Sequence, residues 1–418
     1  MNTLSTSPSV PAATGFSRGT QWWTLFLFMC GGGVVLIEPS PYEFAFFLAL
    51  FVFMLGGMRL GAGAVVMAVL LMLYNIGGLF SLIPFLDDGD AVRFIGVSFY
   101  LAVTAIFFAA LLQDDARWRM HALTWGLVSG ATIASVAGIL GYFNVAGLGA
   151  IFTLHDRAAG TFKDPNVLGT YVILPLVLLA QAILITGRLR LRHVVPLGII
   201  LFGGVFLSFS RGAWGNMILS MALMTMLTFL FVAGPRQRLR ITVLAVTGII
   251  GAIVALAIAL SIEELRSMFE VRAALVQHYD VGATGRFGRI FRAIPELLDR
   301  PNGYGPMQFR EVWFEDPHNV YLNAFSAYGW LGGLSYLCLI GATLVVGWRL
   351  IATPSDMQAF AIAVWSVLFV QMLQGLAIDT DHWRHFYLLL GLTWGLFDRN
   401  VRRGGYQAGR AVGESRGG

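Results

Sequence analysis

The sequence predicts an all-α polytopic membrane protein of about twelve transmembrane helices, with one long polar loop that contains amphipathic helices. Of the 418 residues, 57% are hydrophobic and only 12% are charged, whereas soluble domains carry roughly 25% charged residues. The apolar residues form long runs, and only one polar stretch of comparable length, 263–317, interrupts them. These two observations exclude a soluble globular protein.

Twelve apolar runs approach the roughly 20 residues that a helix needs to cross a bilayer. The first begins at Trp22 after a short polar tail (1–20), and no small-residue cleavage site follows it, so we expect a retained helix rather than a signal peptide. Nine spans lie within 21–262 and three within 318–398, and the Gly-rich tail 399–418 is expected to be disordered. The runs are 22–37, 42–58, 61–85, 92–112, 120–143, 165–186, 194–209, 212–233, 241–262, 318–348, 357–378 and 385–398.

The charges of the connecting loops predict the orientation. Basic connections alternate with acidic ones, and the positive-inside rule places the basic ones in the cytoplasm together with both termini. The stretch 263–317 then forms a loop on the outer side. Lys163 is the only lysine among 28 basic residues, and such an arginine excess in a membrane protein indicates orientation and anionic ligands rather than nucleic acid. The basic connections contain Arg59, Arg117, Arg188, Arg236 and Arg349.

Several basic residues nevertheless lie on the predicted outer side. Arg211 is the most informative, because it stands in a tight turn between two apolar runs, and an arginine at membrane depth costs about 2.5–3.5 kcal/mol. Long translocated loops are exempt from the positive-inside rule, so the arginines within 263–317 are also compatible with an ordinary loop. The outer basic residues are Arg157, Lys163, Arg211, Arg286, Arg289, Arg292 and Arg384.

The long loop predicts two amphipathic helices, at about 262–278 and 285–298, joined by a Gly-containing hinge. In the first, Arg266 and Glu270 stand four residues apart on the polar side. The second carries arginine at every third position, 286, 289 and 292, opposite an apolar side. A helix of this kind lies flat on a membrane and exposes its arginine stripe.

Two predicted helix starts on the outer side share a pattern, Asp164-Pro165-Asn166 and Asp316-Pro317-His318-Asn319. Aspartate is a good N-cap and proline suits the first helical position, so Asn166 and His318 are expected in first turns. Helix N-termini attract anions, and with the outer arginines they predict a phosphate or diphosphate site. The spacing alone does not show that these loops converge. His318 is compatible both with an interfacial residue and with a base that accepts a hydroxyl proton.

The sequence favours no cofactor. Asp379-Thr380-Asp381 is similar to acidic pairs that hold divalent ions, but its neighbours Trp383, Arg384 and His385 are typical of interfacial anchors, so metal binding is disfavoured. His278 and His382 have no ligand-like spacing and are expected at a polar surface. A Walker-type loop is absent from the sequence, which argues against ATP hydrolysis. The two cysteines, Cys30 and Cys338, stand in apolar runs and predict no disulfide or metal site.

The run of His318-Asn319 followed by Gly329 and Gly332 resembles the histidine motif of the O-antigen ligase and polymerase superfamily, a group of bacterial envelope glycosyltransferases. Three further stretches agree with the family and occur in its order. They are Arg157–Phe162 with Asp164-Pro165-Asn166, then Ser208–Ala213, then Arg286 followed by Pro301–Gly305.

The resemblance implies a GT-C-like, metal-independent, inverting glycosyltransferase in the bacterial inner membrane, with its site on the periplasmic side. Its donor would be a glycan on undecaprenyl diphosphate, and its acceptor a hydroxyl of the lipid A core. Carried onto this sequence, Arg211 and Arg286 would hold the diphosphate, and His318 would orient or deprotonate the acceptor. The substrate-binding residues would be Arg157, Arg289, Asn319 and Asn166.

Three alternatives stay open. An O-antigen or exopolysaccharide polymerase would use a second lipid-linked glycan as its acceptor. A transporter of a lipid-linked glycan fits twelve spans, although transporters place charged sites near the midplane between repeats, and no repeat is visible in the sequence. A non-catalytic assembly subunit would use the long loop for docking, and it predicts that Arg211 and His318 are replaceable.

Overall fold

The computed structural model describes the backbone of residues 16–186, 191–273 and 285–416. Most of this backbone is helical, which confirms the all-α membrane class. In chain order the helices are α1 (Arg18–Gly31), α2 (Pro41–Leu55), α3 (Ala62–Leu82), α4 (Gly89–Leu111), α5 (Ala116–Tyr142), α6 (Gly149–Phe152), α7 (Pro165–Tyr171), α8 (Ile173–Thr186), α9 (Leu191–Leu207), α10 (Arg211–Phe231), α11 (Pro235–Ala259), α12 (Glu263–Ala273), α13 (Arg286–Leu298), α14 (Phe309–Trp313), α15 (Val320–Ala352), α16 (Gln358–Gln374) and α17 (Arg384–Arg416).

Seven helical segments in the described ranges are long and apolar enough to cross a membrane. Helices α7 and α8 together form one of these segments, Pro165–Ile185. Three shorter apolar helices accompany them, Pro41–Leu55, Val194–Leu207 and Gln358–Gln374. The count of twelve spans and the GT-C-like architecture stay predictions.

A small antiparallel hairpin precedes α7, which the all-α prediction did not include. Its strands are β1 (Thr153–Leu154) and β2 (Arg157–Ala158), paired through Thr153 with Ala158 and Leu154 with Arg157. His155 and Asp156 form the turn with φ angles of 51° and 57°. The hairpin fixes the position of Arg157 relative to α7.

The N-terminal half of α15 packs closely along α3. A Cβ atom added to Gly77 of α3 would lie 2.5 Å from the backbone nitrogen of Gly332, so the two helices approach through glycines, as membrane helices commonly do. Beside this contact, the rings of Tyr74 and Tyr328 stack with centroids 3.9 Å apart. Gly332 of the histidine motif therefore has a packing role.

Gly329 forms a kink inside α15, with φ 65° and ψ −171°. The kink allows Trp330 to donate its backbone N–H to the carbonyl of Pro301, at 2.8 Å. Tyr304 likewise donates its backbone N–H to the carbonyl of Ser326, at 2.8 Å. The turns that end the long loop are therefore anchored to the broken turn of α15, which fixes where the loop returns to the membrane helices.

We predict that Gly329→Ala destabilises the protein by about 1–3 kcal/mol, because alanine rarely adopts a positive φ. Its Cβ would also lie 2.6 Å from the carbonyl oxygen of Pro301. The measurement is the apparent melting temperature in detergent. Gly341→Ala is the matched control in the same helix, since nothing lies within 4 Å of its added Cβ. Equal melting temperatures for the two variants would contradict the role of the kink.

The structure confirms one predicted helix start and corrects the other. Helix α7 begins at Pro165 with Asp164 as its N-cap. Helix α15 does not use Asp316, because Asn319 is its N-cap and accepts from the backbone N–H groups of Tyr321 and Leu322, both at 3.0 Å. The prediction that His318 lies in the first helical turn is therefore wrong. His318 precedes the helix with a left-handed φ of 48°.

The long loop contains the two predicted helices in the form of α12 and α13. His278 and all of the predicted hinge 280–285 except Gly285 lie outside the described residues. At the other end of the chain, α17 continues to Arg416. From the sequence, we expect the last span to end at residue 398 and a disordered tail to follow it. Proline is absent from 399–416, so no residue there forces the helix to stop.

Candidate active site

Arg157 connects the start of α7 to the turn before α10, two segments that are distant in sequence. Its Nε donates to the carbonyl oxygen of Ser208 at 2.8 Å, and its Nη2 donates to Oδ1 of Asn166 at 2.9 Å. Asn166 is itself held by the cap of α7, since its backbone N–H donates to Oδ1 of Asp164 at 2.6 Å. The predicted site residues Arg157 and Asn166 are therefore in direct contact.

Arg211 is the first residue of α10, and its side chain is half-buried. The preceding turn is tight, with Phe209 at φ 45°. Ser210 caps the helix by accepting from the backbone N–H of Ala213 at 3.2 Å. Because Arg157 binds the carbonyl of Ser208 in this turn, the hairpin and the start of α10 are joined. Arg211 therefore stands at a fixed helix N-terminus, where the helix dipole also favours an anion.

Gln374, the last residue of α16, connects three elements of the site. Its Oε1 accepts from Nδ2 of Asn216 in α10 at 2.7 Å. Its Nε2 donates to Oγ1 of Thr170 in α7 at 3.3 Å. Gln374 is not among the residues predicted from the sequence. Its amide side chain lies in a predicted span, and Gln371 stands one turn earlier. Polar groups inside membrane helices are costly and often functional, so this pair was a usable signal.

The two residues after Gln374 bind the start of α15. The carbonyl of Gly375 accepts from the backbone N–H of Val320 at 2.8 Å. The carbonyl of Leu376 accepts from Nδ2 of Asn319 at 3.0 Å. The end of α16 thus contacts the second turns of α7 and α10 and the first residue of α15, and it connects segments that are distant in sequence.

His318 pairs with Asp379, with Nδ1 and Oδ2 3.4 Å apart. The imidazole is 41% exposed, whereas the carboxylate is 26% exposed. Burial raises the pKa of Asp379, and the hydrogen bond to His318 opposes that rise. A carboxylate at Nδ1 orients an imidazole and favours the tautomer whose Nε2 accepts a proton. The pair therefore has the composition of a general base with its orienting group.

Asp381 is buried and lies in a separate polar contact. It accepts from Nδ2 of Asn323 at 2.9 Å and lies 3.3 Å from Nδ1 of His382. Nε2 of His382 is 3.0 Å from the carbonyl of Phe94. Burial lowers the pKa of His382, but Asp381 outweighs it, and the net shift is upward. The prediction of a polar-surface position for His382 is wrong, because its side chain is only 22% exposed and its ring contacts Asp381 and the carbonyl of Phe94 inside the protein.

The acidic pair of the 379–381 segment is thus divided between two histidines. Asp379 faces His318, and Asp381 faces His382 and Asn323. Within 16–186, 191–273 and 285–416, no group of three or more histidine, cysteine or acidic residues is arranged to hold a metal ion.

The arginines of α13 agree only in part with the prediction of an exposed stripe, because Arg292 is exposed but Arg289 is not. Arg286 begins the helix, but its side chain lies outside the described residues. Arg289 is only 14% exposed; it forms an ion pair with Glu315 and donates to the carbonyl of Trp313 at 3.2 Å. Because Glu315 lies three residues before His318, Arg289 holds the segment that leads to the histidine.

A cavity of about 870 Å³ adjoins the cap of α7 and the 382–385 segment. Five of its charged residues form ion pairs: Glu38 binds Arg93 and lies 3.1 Å from Nζ of Lys163, and Glu43 binds Arg384. Two of the outer cations predicted from the sequence, Lys163 and Arg384, therefore have carboxylate partners. The aromatic part of the lining comes from Tyr100, Phe162, Tyr171 and Trp383.

Comparison with known proteins places the central part of the chain in a family. Residues 196–337 match the family model described as O-antigen ligase (Wzy_C). This range contains Arg211, Arg286, Arg289, His318 and Asn319, and it excludes Arg157, Asn166 and Asp379. No curated protein matches the chain. The match to the ligase model over residues 196–337 confirms, for this part of the chain, the resemblance to the O-antigen ligase and polymerase superfamily found in the sequence.

Proposed function

We propose that this protein transfers a glycan from undecaprenyl diphosphate to a hydroxyl of the lipid A core. The observation that carries this proposal is that the end of α16 binds α7, α10 and the start of α15, the elements at or next to whose first residues Asn166, Arg211 and His318 stand. A base and several guanidinium groups at one face suit a reaction that activates a hydroxyl and releases an anionic diphosphate.

In the proposed reaction, the acceptor hydroxyl oxygen attacks the anomeric carbon of the donor glycan. Nε2 of His318 takes the hydroxyl proton, and Asp379 stabilises the imidazolium that forms. The bond between the anomeric carbon and the diphosphate oxygen breaks, and its electron pair leaves with the undecaprenyl diphosphate. Arg211 and Arg286 stabilise the charge that develops on this leaving group. A single displacement of this kind inverts the anomeric configuration and needs no metal ion.

We assign Arg157, Asn166 and Asn319 to positioning within this site. Arg157 uses two of its donors on Ser208 and Asn166. Asn319 uses its oxygen to cap α15 and its amide nitrogen to bind Leu376. Arg289 acts on the segment before His318 through Glu315. These residues support the proposal by fixing Arg211 and His318 relative to each other.

The test is a reconstituted assay with the full-length protein in proteoliposomes. We expect a purified glycan donor on undecaprenyl diphosphate, mixed with lipid A core, to give a glycosylated lipid A core of lower gel mobility. The activity should persist in EDTA. Longer glycans formed from donor alone would identify a polymerase, and movement of intact donor across the bilayer without bond formation would identify a transporter. Loss of activity in EDTA, restored by a divalent ion, would contradict the metal-independent reaction.

A further inference from the structure

A second cavity lies at the end of the molecule opposite the candidate active site. Helix α15 has 33 residues; it begins after His318 and Asn319, and Asp356 lies just beyond its other end. The cavity beside Asp356 has a volume of about 550 Å³. Its lining consists of Arg18, Asp115, Ala116, Arg117, Trp118, Asp356, Arg399 and Arg403.

Positive charge is in excess around this cavity, because four arginines face two aspartates. Asp356 alone is bound by three of them. Arg399 donates to both carboxylate oxygens at 2.8 Å, Arg403 lies 3.1 Å away and Arg117 lies 3.3 Å away. Hydrogen bonds from Arg399 lower the pKa of Asp356 to about 2, so the carboxylate is charged at neutral pH.

The three arginines on Asp356 differ in exposure. The Arg399 side chain is 3% exposed, whereas those of Arg117 and Arg403 are 74% and 58% exposed. Arg399 is therefore buried against Asp356 and is not accessible to an external anion. Arg117 and Arg403 reach the cavity from two different helices and have the exposure that an external anion requires.

Helix α5 also presents its N-terminus to this cavity. The helix has 27 residues and begins at Ala116. Its N-cap, Asp115, has left-handed φ and ψ angles of 51° and 29° and makes no side-chain cap hydrogen bond. Asp115 instead lies 3.5 Å from Arg18. Helix N-termini with uncapped N–H groups bind anions, so the backbone adds to the charge of the arginines.

Tryptophans place the cavity at the level of lipid headgroups. Trp118 lines it, with the guanidinium of Arg18 5.8 Å from its ring centroid. About one turn along α1 from Arg18 stand Trp22 and Trp23, and Trp23 is 58% exposed. Tryptophans concentrate where headgroups meet acyl chains. An anion in this cavity would therefore have an apolar surface for acyl chains beside it, which favours a lipid over a soluble ion.

We propose that this cavity binds the phosphodiester of an anionic phospholipid. Arg117 and Arg403 would donate to the phosphate oxygens, the first turn of α5 would add backbone N–H groups, and the acyl chains would lie along α1. Basic pockets between membrane helices bind anionic headgroups in this way. The proposal is independent of the glycosyl-transfer reaction and concerns the opposite face of the molecule.

The test titrates the delipidated full-length protein in detergent with phosphatidylglycerol or phosphatidylcholine, and counts bound lipids by native mass spectrometry. We expect phosphatidylglycerol to bind more tightly. In the double variant Arg117→Gln, Arg403→Gln its affinity should fall roughly 25-fold, since each arginine contributes about fivefold. The control Arg236→Gln, Arg240→Gln removes two arginines from the start of α11, at the same end of the molecule, and should bind like the unmodified protein.

Two further measurements separate charge from folding and lipid from free phosphate. Arg117→Lys with Arg403→Lys keeps both charges and should retain most of the binding, with a melting temperature close to that of the glutamine variant. Inorganic phosphate at millimolar concentration should displace little phosphatidylglycerol; efficient displacement would identify a soluble phosphate site instead. Equal binding of the two lipids, or unchanged phosphatidylglycerol binding by the glutamine variant, would overturn the proposal.

Discussion

Replacing Arg211 with alanine should lower glycosyl transfer roughly 10²–10³-fold, the loss that follows removal of one group stabilising a transition-state anion. Arg211 begins α10 at a turn that Ser210 caps and Arg157 holds. This framework fixes the helix start from which the guanidinium extends, which limits the reorganisation needed as charge develops on the diphosphate. The measurement is the initial rate of transfer to lipid A core in proteoliposomes, at saturating donor.

Arg211→Lys should recover only part of this rate, because an ammonium keeps the charge but loses the planar fork that binds two phosphate oxygens. Arg236→Ala is the matched control, since Arg236 also lies in the first turn of a long helix, α11, but at the opposite end of the molecule. Its rate should be unchanged. A normal rate for Arg211→Ala would contradict the role of Arg211, and an equal loss in Arg236→Ala would indicate a general effect of arginine removal.

Replacing His318 with alanine should lower the transfer rate roughly 10²–10⁴-fold, the range that a positioned general base contributes. His318→Gln, which hydrogen-bonds but does not take up a proton at neutral pH, should be as inactive as His318→Ala. Substantial activity in the glutamine variant would show that His318 orients the acceptor rather than deprotonates it. Normal activity in the alanine variant would contradict both roles of His318.

The pH profile tests the partner of His318. Because burial raises the pKa of Asp379, this carboxylate takes up its proton at a higher pH than an exposed aspartate, and the pair is lost as the pH falls through that raised value. Asp379→Asn should lower the rate less than His318→Ala and should change the acidic side of the profile. Asn323→Ala is a control in the neighbouring contact with Asp381; it should leave the acidic side of the profile unchanged.

Local chemistry made several features predictable from the sequence. The apolar runs predicted the membrane helices, because a bilayer accepts only segments whose backbone hydrogen bonds are satisfied internally. Asp164-Pro165 gave the start of α7, since an aspartate cap and a proline at the first position act within a few residues. The spacing of arginines and apolar residues gave the second helix of the long loop, observed as Arg286–Leu298.

The start of α15 shows where local rules are insufficient. The sequence offers two acceptable caps, Asp316 and Asn319. Asp316 is bound by Arg310, with Nη2 and Oδ2 2.8 Å apart, and Asn319 is bound by the carbonyl of Leu376. These partners come from other parts of the chain, so the choice between the caps depended on tertiary contacts that no short pattern contains.

The sequence alone determined the membrane class, the family resemblance and the identity of the charged residues that we assign to the candidate site. Only the tertiary structure decided that Gln374 joins α7 to α10, that Arg157 binds the turn before Arg211, and that Asp379 faces His318. The physical reason is distance along the chain. Helix periodicity and caps act over a few residues, whereas His318 and Asp379 stand 61 positions apart and meet only because the carbonyls at the end of α16 bind the start of α15.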